Sequence, residues 1–437
     1  DYWRERPHLE RIRAVYEERF RATDPAERER LAKEIDRENQ AASKFEIPNE
    51  LGRVYDSLGF NGLNAFTGNE YTMYICDFPR NRLEAWATAE AERFSQPVLR
   101  LFQTELETVY EEKNRSLDNP GRGLWEAFSL ALFKKHPYGT QPTLGSIEHL
   151  KNPSLKRVMD FYRAHYVPNN MALVLAGDFQ RKAMLELLAR HFGAWKPGPV
   201  APAGPWELPP LRGEETVTVT FESEEQVILG WLASANKTPE ADALDVAGML
   251  LNNGRTGIID VRLNQAQRVK GAGGGSDARN DAGSFSMWAQ PKQGQTLDDA
   301  KKLLLECVEA LKRGEFTDED LQGAITNWEV GQKRGLEDNE SRVSQMAFSF
   351  VGEEEWERTA GWLDRFRRVT RDDVLRAARR YLGGDRVVAY RRNGKPVLPS
   401  ITKPGYTKVT IDPDRQSAFA KRVHDLPASP IKPRWLR

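Results

Sequence analysis

Apolar residues recur at helical spacing over most of this chain and give way to strand patterns in only a few places. Leu9, Ile12, Val15, Tyr16 and Phe20 predict a first helix. Thr23-Asp24-Pro25 then supplies a cap and a first-turn proline for a second, whose sparse apolar side is Leu31, Ile35 and Ala42. Opposite charges four residues apart support both, so residues 1–47 are expected to form a solvated helical hairpin. Pro48 opens a helix with Leu51, Val54, Tyr55 and Leu58 on one face, and Gly62 to Tyr74 predicts two short strands around a tight turn. A helix with Leu83, Trp86, Ala87, Glu90 and Phe94 comes next. From Pro97 a long helix rich in carboxylates is expected to run to the stop Asp118-Asn119-Pro120-Gly121. Leu124, Trp125, Phe128, Leu132 and Phe133 mark another helix, and Leu155, Val158, Phe161 and Tyr162 a further one. The loop His136 to Pro142 lies between them. Met171 to Ala176 predicts a hydrophobic strand, and Lys182 to Phe192 a helix.

Residues 197–210 hold six prolines and two glycines and read as a linker. Beyond it, Thr216 to Phe221 and Gln226 to Trp231 predict strands, followed by helices near 239–252 and 256–265. A glycine-rich turn is expected at Gly271 to Gly275, then a strand over Gly283 to Gln290, a long helix over 297–313, more helices to about 382, and a last strand, Arg386 to Tyr390. Both halves end alike, an amphipathic helix (155–166; 371–382) turning into a hydrophobic strand (171–176; 386–390). This order predicts an internal duplication, with modules at 48–196 and 211–400. Helices and strands mix without strict alternation, so the expected class is α+β.

A chain of 437 residues is too long for a single core. Its 64 basic and 64 acidic residues cancel, which argues against nucleic acid or an anionic membrane surface as a partner. No apolar run approaches the ~20 residues that span a bilayer. Cys76 and Cys307 stand far apart in apolar patterns and read as buried thiols, not as a disulfide or a sulfur zinc site. The charged pattern at Asp1 and the extended tail from Pro430 are read as a fragment of a longer protein or a processed form.

Candidate chemistry is sparse. Glu105 and Glu112 are two helical turns apart and share a face, an arrangement also common on ordinary surface helices. None of the six histidines forms His-x-x-x-His or His-x-x-Glu-His, and a zinc site needs three or four ligands. His136, before Pro137-Tyr138-Gly139, is read as packing its loop, with substrate binding the alternative. The glycine run lacks the Gly-Lys-Ser/Thr of a phosphate loop, and no Gly-x-Ser-x-Gly occurs.

Asn64-Ala65-Phe66-Thr67, Glu105 to Glu112, His136-Pro137-Tyr138-Gly139 and Tyr166 to Asp178, taken in order, resemble the M16 (pitrilysin/insulinase/processing peptidase) family of zinc metallopeptidases over roughly residues 48–400. The resemblance implies two tandem M16-type (LuxS/MPP-like) modules, each a mostly antiparallel sheet packed by helices, with residues 1–47 as a helical hairpin insertion and 401–437 as a connector to a second half. It implies Glu112 as a zinc ligand, Glu105 as the acid supporting it, and Asn64, Ala65, Phe66 and Thr67 as the edge strand that pairs with an extended peptide. The family's His-x-x-Glu-His motif precedes that strand, and here it is absent, so it is expected upstream of Asp1. The resulting expectation is part of a Zn2+ metalloendopeptidase whose residues here are inactive alone, working with a second M16 half in cis or in trans. The alternatives are a non-catalytic M16-like subunit that binds peptide or scaffolds a partner, and an unrelated helical scaffold. For a bacterial protein of this kind, either periplasm or cytoplasm fits.

Overall fold

The structure, a computed structural model, describes residues 2–398, 407–409 and 415–430. Helices α1 (Tyr2–Arg21) and α2 (Pro25–Ala42) pack along one another as the charge pattern requires. Asp24 caps α2 by accepting from the amides of Ala26 and Glu27, and Pro25 sits in its first turn. Ile12, Val15 and Tyr16 close on Leu31, Ile35 and Ala42, with Leu155 and Phe102 beside them. The hairpin is therefore docked on the rest of the chain through its apolar stripe.

Next come α3 (Glu50–Leu58) and the strands β1 (Asn61–Thr67) and β2 (Thr72–Asp77), an antiparallel pair that stands by itself as a two-stranded sheet. Helices α4 (Leu83–Ser95), α5 (Phe102–Leu117) and α6 (Pro120–Phe133) follow. The carboxylate-rich helix thus begins at Phe102 and not at Pro97: residues 97–101 are irregular, and Leu101 sits in the left-handed region at φ 50°. The His136 loop contains one helical turn, α7 (Pro137–Thr140), before α8 (Ile147–Lys151) and α9 (Leu155–His165). The expected strand over Met171–Ala176 is not formed. The residues follow a short 3-10 turn without entering a sheet, and α10 (Arg181–Phe192) comes next. Helices α3, α4 and α10 share one apolar core with Phe60, Phe78 and Leu175.

After the irregular residues 197–210, β3 (Glu214–Phe221), β4 (Gln226–Ala233), α11 (Pro239–Leu251), a π-helical turn (Asp260–Gln265), β5 (Gly271–Ala278) and β6 (Gly283–Gln290) build a second sheet. The glycine run is a strand and not a turn. A Cβ on Gly248 of α11 would lie 3.2 Å from the Cα of Gly275, so the bare backbone lets the helix approach the sheet closely. Helices α12 (Leu297–Arg313), α13 (Asp318–Gly335), α14 (Asn339–Val351), α15 (Trp356–Ala360), α16 (Trp362–Arg368) and α17 (Arg371–Tyr381) lead to β7 (Arg386–Asn393). The strand order is β3-β7-β4-β6-β5, with β3 and β7 parallel and the other neighbours antiparallel. One face of this sheet packs on α11, α12 and α17. The other receives α6, whose Leu124, Phe128 and Leu132 meet Ile228, Val387 and Ala389. The expected connector, 401–437, lies partly outside the described residues. Within it, α18 (Ala418–His424) returns to α3 and α4 and buries Ala420 and Val423 in their core.

Candidate functional site

Strand β1 is exposed at every residue, and Asn64, Ala65, Phe66 and Thr67 pair with Ile75, Tyr74, Met73 and Thr72 of β2. The Asn64 side-chain oxygen accepts from the Ala65 amide at 2.8 Å. These four residues therefore lie along a sheet edge that other backbone can reach.

The turn after β1 is fastened from across the molecule. Tyr138 donates its hydroxyl to Glu70, the Asn280 amide donates to the same carboxylate oxygen at 3.1 Å, and the Asp281 amide donates to the Tyr138 hydroxyl at 3.2 Å. Arg279 reaches Asn69 at 3.2 Å and lies over the Tyr138 ring. The β1–β2 turn and the β5–β6 turn thus share one polar cluster. His136 is buried beneath it: its Nδ1 accepts from the Tyr138 amide at 3.2 Å, and burial lowers its pKa. A neutral, buried ring that caps a helical turn does the packing work expected of it.

A cavity of about 2300 Å³ opens beside β1 and β2. Asn64, Thr67, Tyr74 and Cys76 line one wall, residues 168–179 another, and Val343, Ala347, Phe350 and Val351 of α14 a third. Tyr74 and Tyr166 meet hydroxyl to hydroxyl at 2.8 Å, Tyr162 stacks on Tyr166, and Arg93 lies over the Tyr74 ring. Desolvation raises the pKa of Tyr74. Glu90 also reaches the cavity. Tyr55 donates to it, Arg93 stands 3.3 Å away, and burial raises its pKa. Sequence reasoning missed this cluster because its members sit among apolar residues of separate elements, with no local spacing to signal them. Cys307 is buried as expected, whereas Cys76 is half-buried on the cavity wall.

Glu105 and Glu112 share an exposed face of α5, turned away from its buried residues Gln103, Leu106, Tyr110 and Lys113. Neither makes a hydrogen bond or ion pair among the described residues, and neither lines the cavity. No group of three or more His, Cys, Asp and Glu among the described residues is placed to hold a metal ion. One carboxylate does not satisfy zinc, whose sites take three or four ligands, so these residues by themselves do not fit the ion. No helix among them is long and apolar enough to cross a membrane.

The family profile described as Peptidase M16 inactive domain matches residues 153–327. An uncharacterized zinc protease of Mycobacterium bovis is 24% identical over 358 residues, which are 80% of this chain and 79% of that protein. The crystal structure of a protease from Helicobacter pylori superposes with a TM-score of 0.72 at 22% identity, covering 78% of this chain and 84% of that one. The periplasmic protease PqqL from Escherichia coli superposes with a TM-score of 0.65 at 15% identity. It covers 89% of this chain but 45% of its own length.

Proposed function

We infer that this chain, which belongs to the M16 family of zinc proteases, is the substrate-holding part of a peptidase that acts on extended peptides. The observation that carries the reading is the open edge of β1. An extended peptide laid along Asn64 to Thr67 gains main-chain hydrogen bonds whatever its sequence, while the neighbouring cavity admits its side chains. The bond-breaking groups are not among these residues. In the family, zinc supplies an activated water. The histidines and base of His-x-x-Glu-His would come from polypeptide preceding α1, with Glu112 joining them and Glu105 supporting it. A second M16 half, in the same polypeptide or another, would complete the enzyme.

A second reading, a non-catalytic subunit that binds peptide or scaffolds a partner, is favoured by the lack of a metal-holding group among the described residues. Reading the coding sequence upstream of Asp1, then measuring zinc content and peptide cleavage of the polypeptide that includes it, separates the two. Stoichiometric zinc and cleavage, both lost in the Glu112→Gln variant, are expected for the peptidase. An upstream sequence without His-x-x-Glu-His, or a protein that binds peptide but neither holds zinc nor cleaves, overturns it in favour of the subunit.

A further inference from the structure

Residues 171–176 are apolar, begin extended at Met171 (φ −129°, ψ 143°) and make no backbone hydrogen bond among the described residues. Unpaired backbone groups on an apolar strand are costly unless another strand takes them. They lie across the cavity from β2, the other strand with a free edge.

The second sheet shows what such a pair of edges accommodates. There the same order, helix then strand, places β7 between two neighbours, with β3 parallel on one side and β4 antiparallel on the other. β4 then pairs with β6, and β5 is the edge. With residues 171–176 set in the place of β7, β2 in that of β6 and β1 in that of β5, the first sheet lacks the counterparts of β3 and β4. The second of these falls between residues 171–176 and β2.

An independent contact points the same way. Helix α6 carries Ala127-Phe128-Ser129, and Phe128 is buried on β4. Helix α14 carries the same run, Ala347-Phe348-Ser349, but Phe348 is 45% exposed. Its neighbours Val343, Ala347, Phe350 and Val351 face the cavity. One helix has its sheet, and the other has an apolar face with none.

We propose that residues 171–176 and β2 are the walls of a strand-receiving groove, and that a β-hairpin on the polypeptide leading into α1 fills it. In the second module the hairpin β3–β4 and helix α11 come before the turn that leads to β5. The same order puts the missing hairpin ahead of α3, with only the α1–α2 insertion between. The strand entering beside β2 is covered on both faces, so it is a near-continuous apolar run, as β4 is. It carries a small residue opposite Phe348, as Gly230 stands opposite Phe128. The proposal rests on the fold and not on the peptidase reading; zinc and cleavage could fail while the groove is filled.

Hydrogen exchange tests it on the polypeptide extended by its own upstream residues, against residues 1–437 alone. The amides of Ala172 to Ala176 are expected to exchange at least tenfold more slowly in the extended protein, and iodoacetamide to modify Cys76 at least tenfold more slowly. Phe348→Ala should lower the unfolding midpoint of the extended protein and leave that of residues 1–437 unchanged. Unchanged exchange on extension overturns the proposal. So does protection already present in residues 1–437 alone, including protection that appears with dimerisation.

Discussion

The ring of Phe128 occupies the space a side chain at Gly230 would need: a Cβ there would stand 2.2 Å from the Phe128 Cζ. Helix α6 is thereby keyed into the middle of the second sheet, where Phe128 is 1% exposed. Gly230→Ala is expected to destabilise by about 1–3 kcal/mol through overpacking, and Phe128→Ala by about 3–5 kcal/mol through the cavity it leaves. Urea unfolding of both variants measures this. Equal, sub-kilocalorie effects would show that α6 is not seated on β4.

Glu46 is 3% exposed, and one of its oxygens has no hydrogen bond among the described residues. Burial pushes its pKa up to about 7, with the Glu5 carboxylate nearby adding to the rise. The folded state therefore holds this proton over a range where the unfolded chain has released it. Stability contributed by the neutral form is full below about pH 4.5 and declines up to about pH 7, by on the order of 3 kcal/mol. Glu46→Gln should flatten that decline in a denaturation series across pH 4.5–8. A slope that the substitution leaves intact assigns it to another group.

Glu5, 1% exposed, receives Arg100 at 2.8 Å. Arg100→Ala leaves a buried carboxylate without its partner and is expected to destabilise by roughly 2–4 kcal/mol. Adding Glu5→Gln should recover part of the loss. A double variant no more stable than Arg100→Ala would locate the effect in the packing of the arginine stem.

Peptide binding through β1 depends on backbone. Ala65→Pro removes a main-chain donor from that edge and should weaken binding of an extended fluorescent peptide at least tenfold. A side-chain change, Phe66→Ala, should cost only a few-fold. Calorimetric midpoints of both variants guard against loss of the strand itself. Equal losses in the two would mean that side chains, and not the ladder, hold the peptide.

Much of this fold is legible in the sequence, and the exceptions have definite causes. The α1–α2 hairpin announces itself through Asp24-Pro25 and its periodic apolar stripe, because those signals are local. Gly271 to Gly275 mislead because glycine punctuates loops more often than it lines a helix–sheet contact, and the approach of Gly248 that requires it lies far off in sequence. Met171 to Ala176 has the composition of a strand but not the neighbours, and pairing is not a property of one segment. Asn64 to Thr67 form a strand on an exposed edge, in keeping with their pattern. Glu105 and Glu112 share a face as their spacing dictates, yet nothing in that spacing shows what stands opposite them.

Helix α18 crosses back from the end of the second sheet to seal α3 and α4, where the Ser429 amide donates to the Asn81 carbonyl and Arg82 to the Leu426 carbonyl. The first module's core is thus finished by residues translated last. Co-translational folding of residues 1–196 would stall with an open apolar seam until residue 423 leaves the ribosome. Cutting the chain at the proline-rich segment would not give two self-sufficient pieces: the N-terminal piece would lack its closing helix. Cooperative unfolding in one transition, with both modules melting together, follows from that single returning helix.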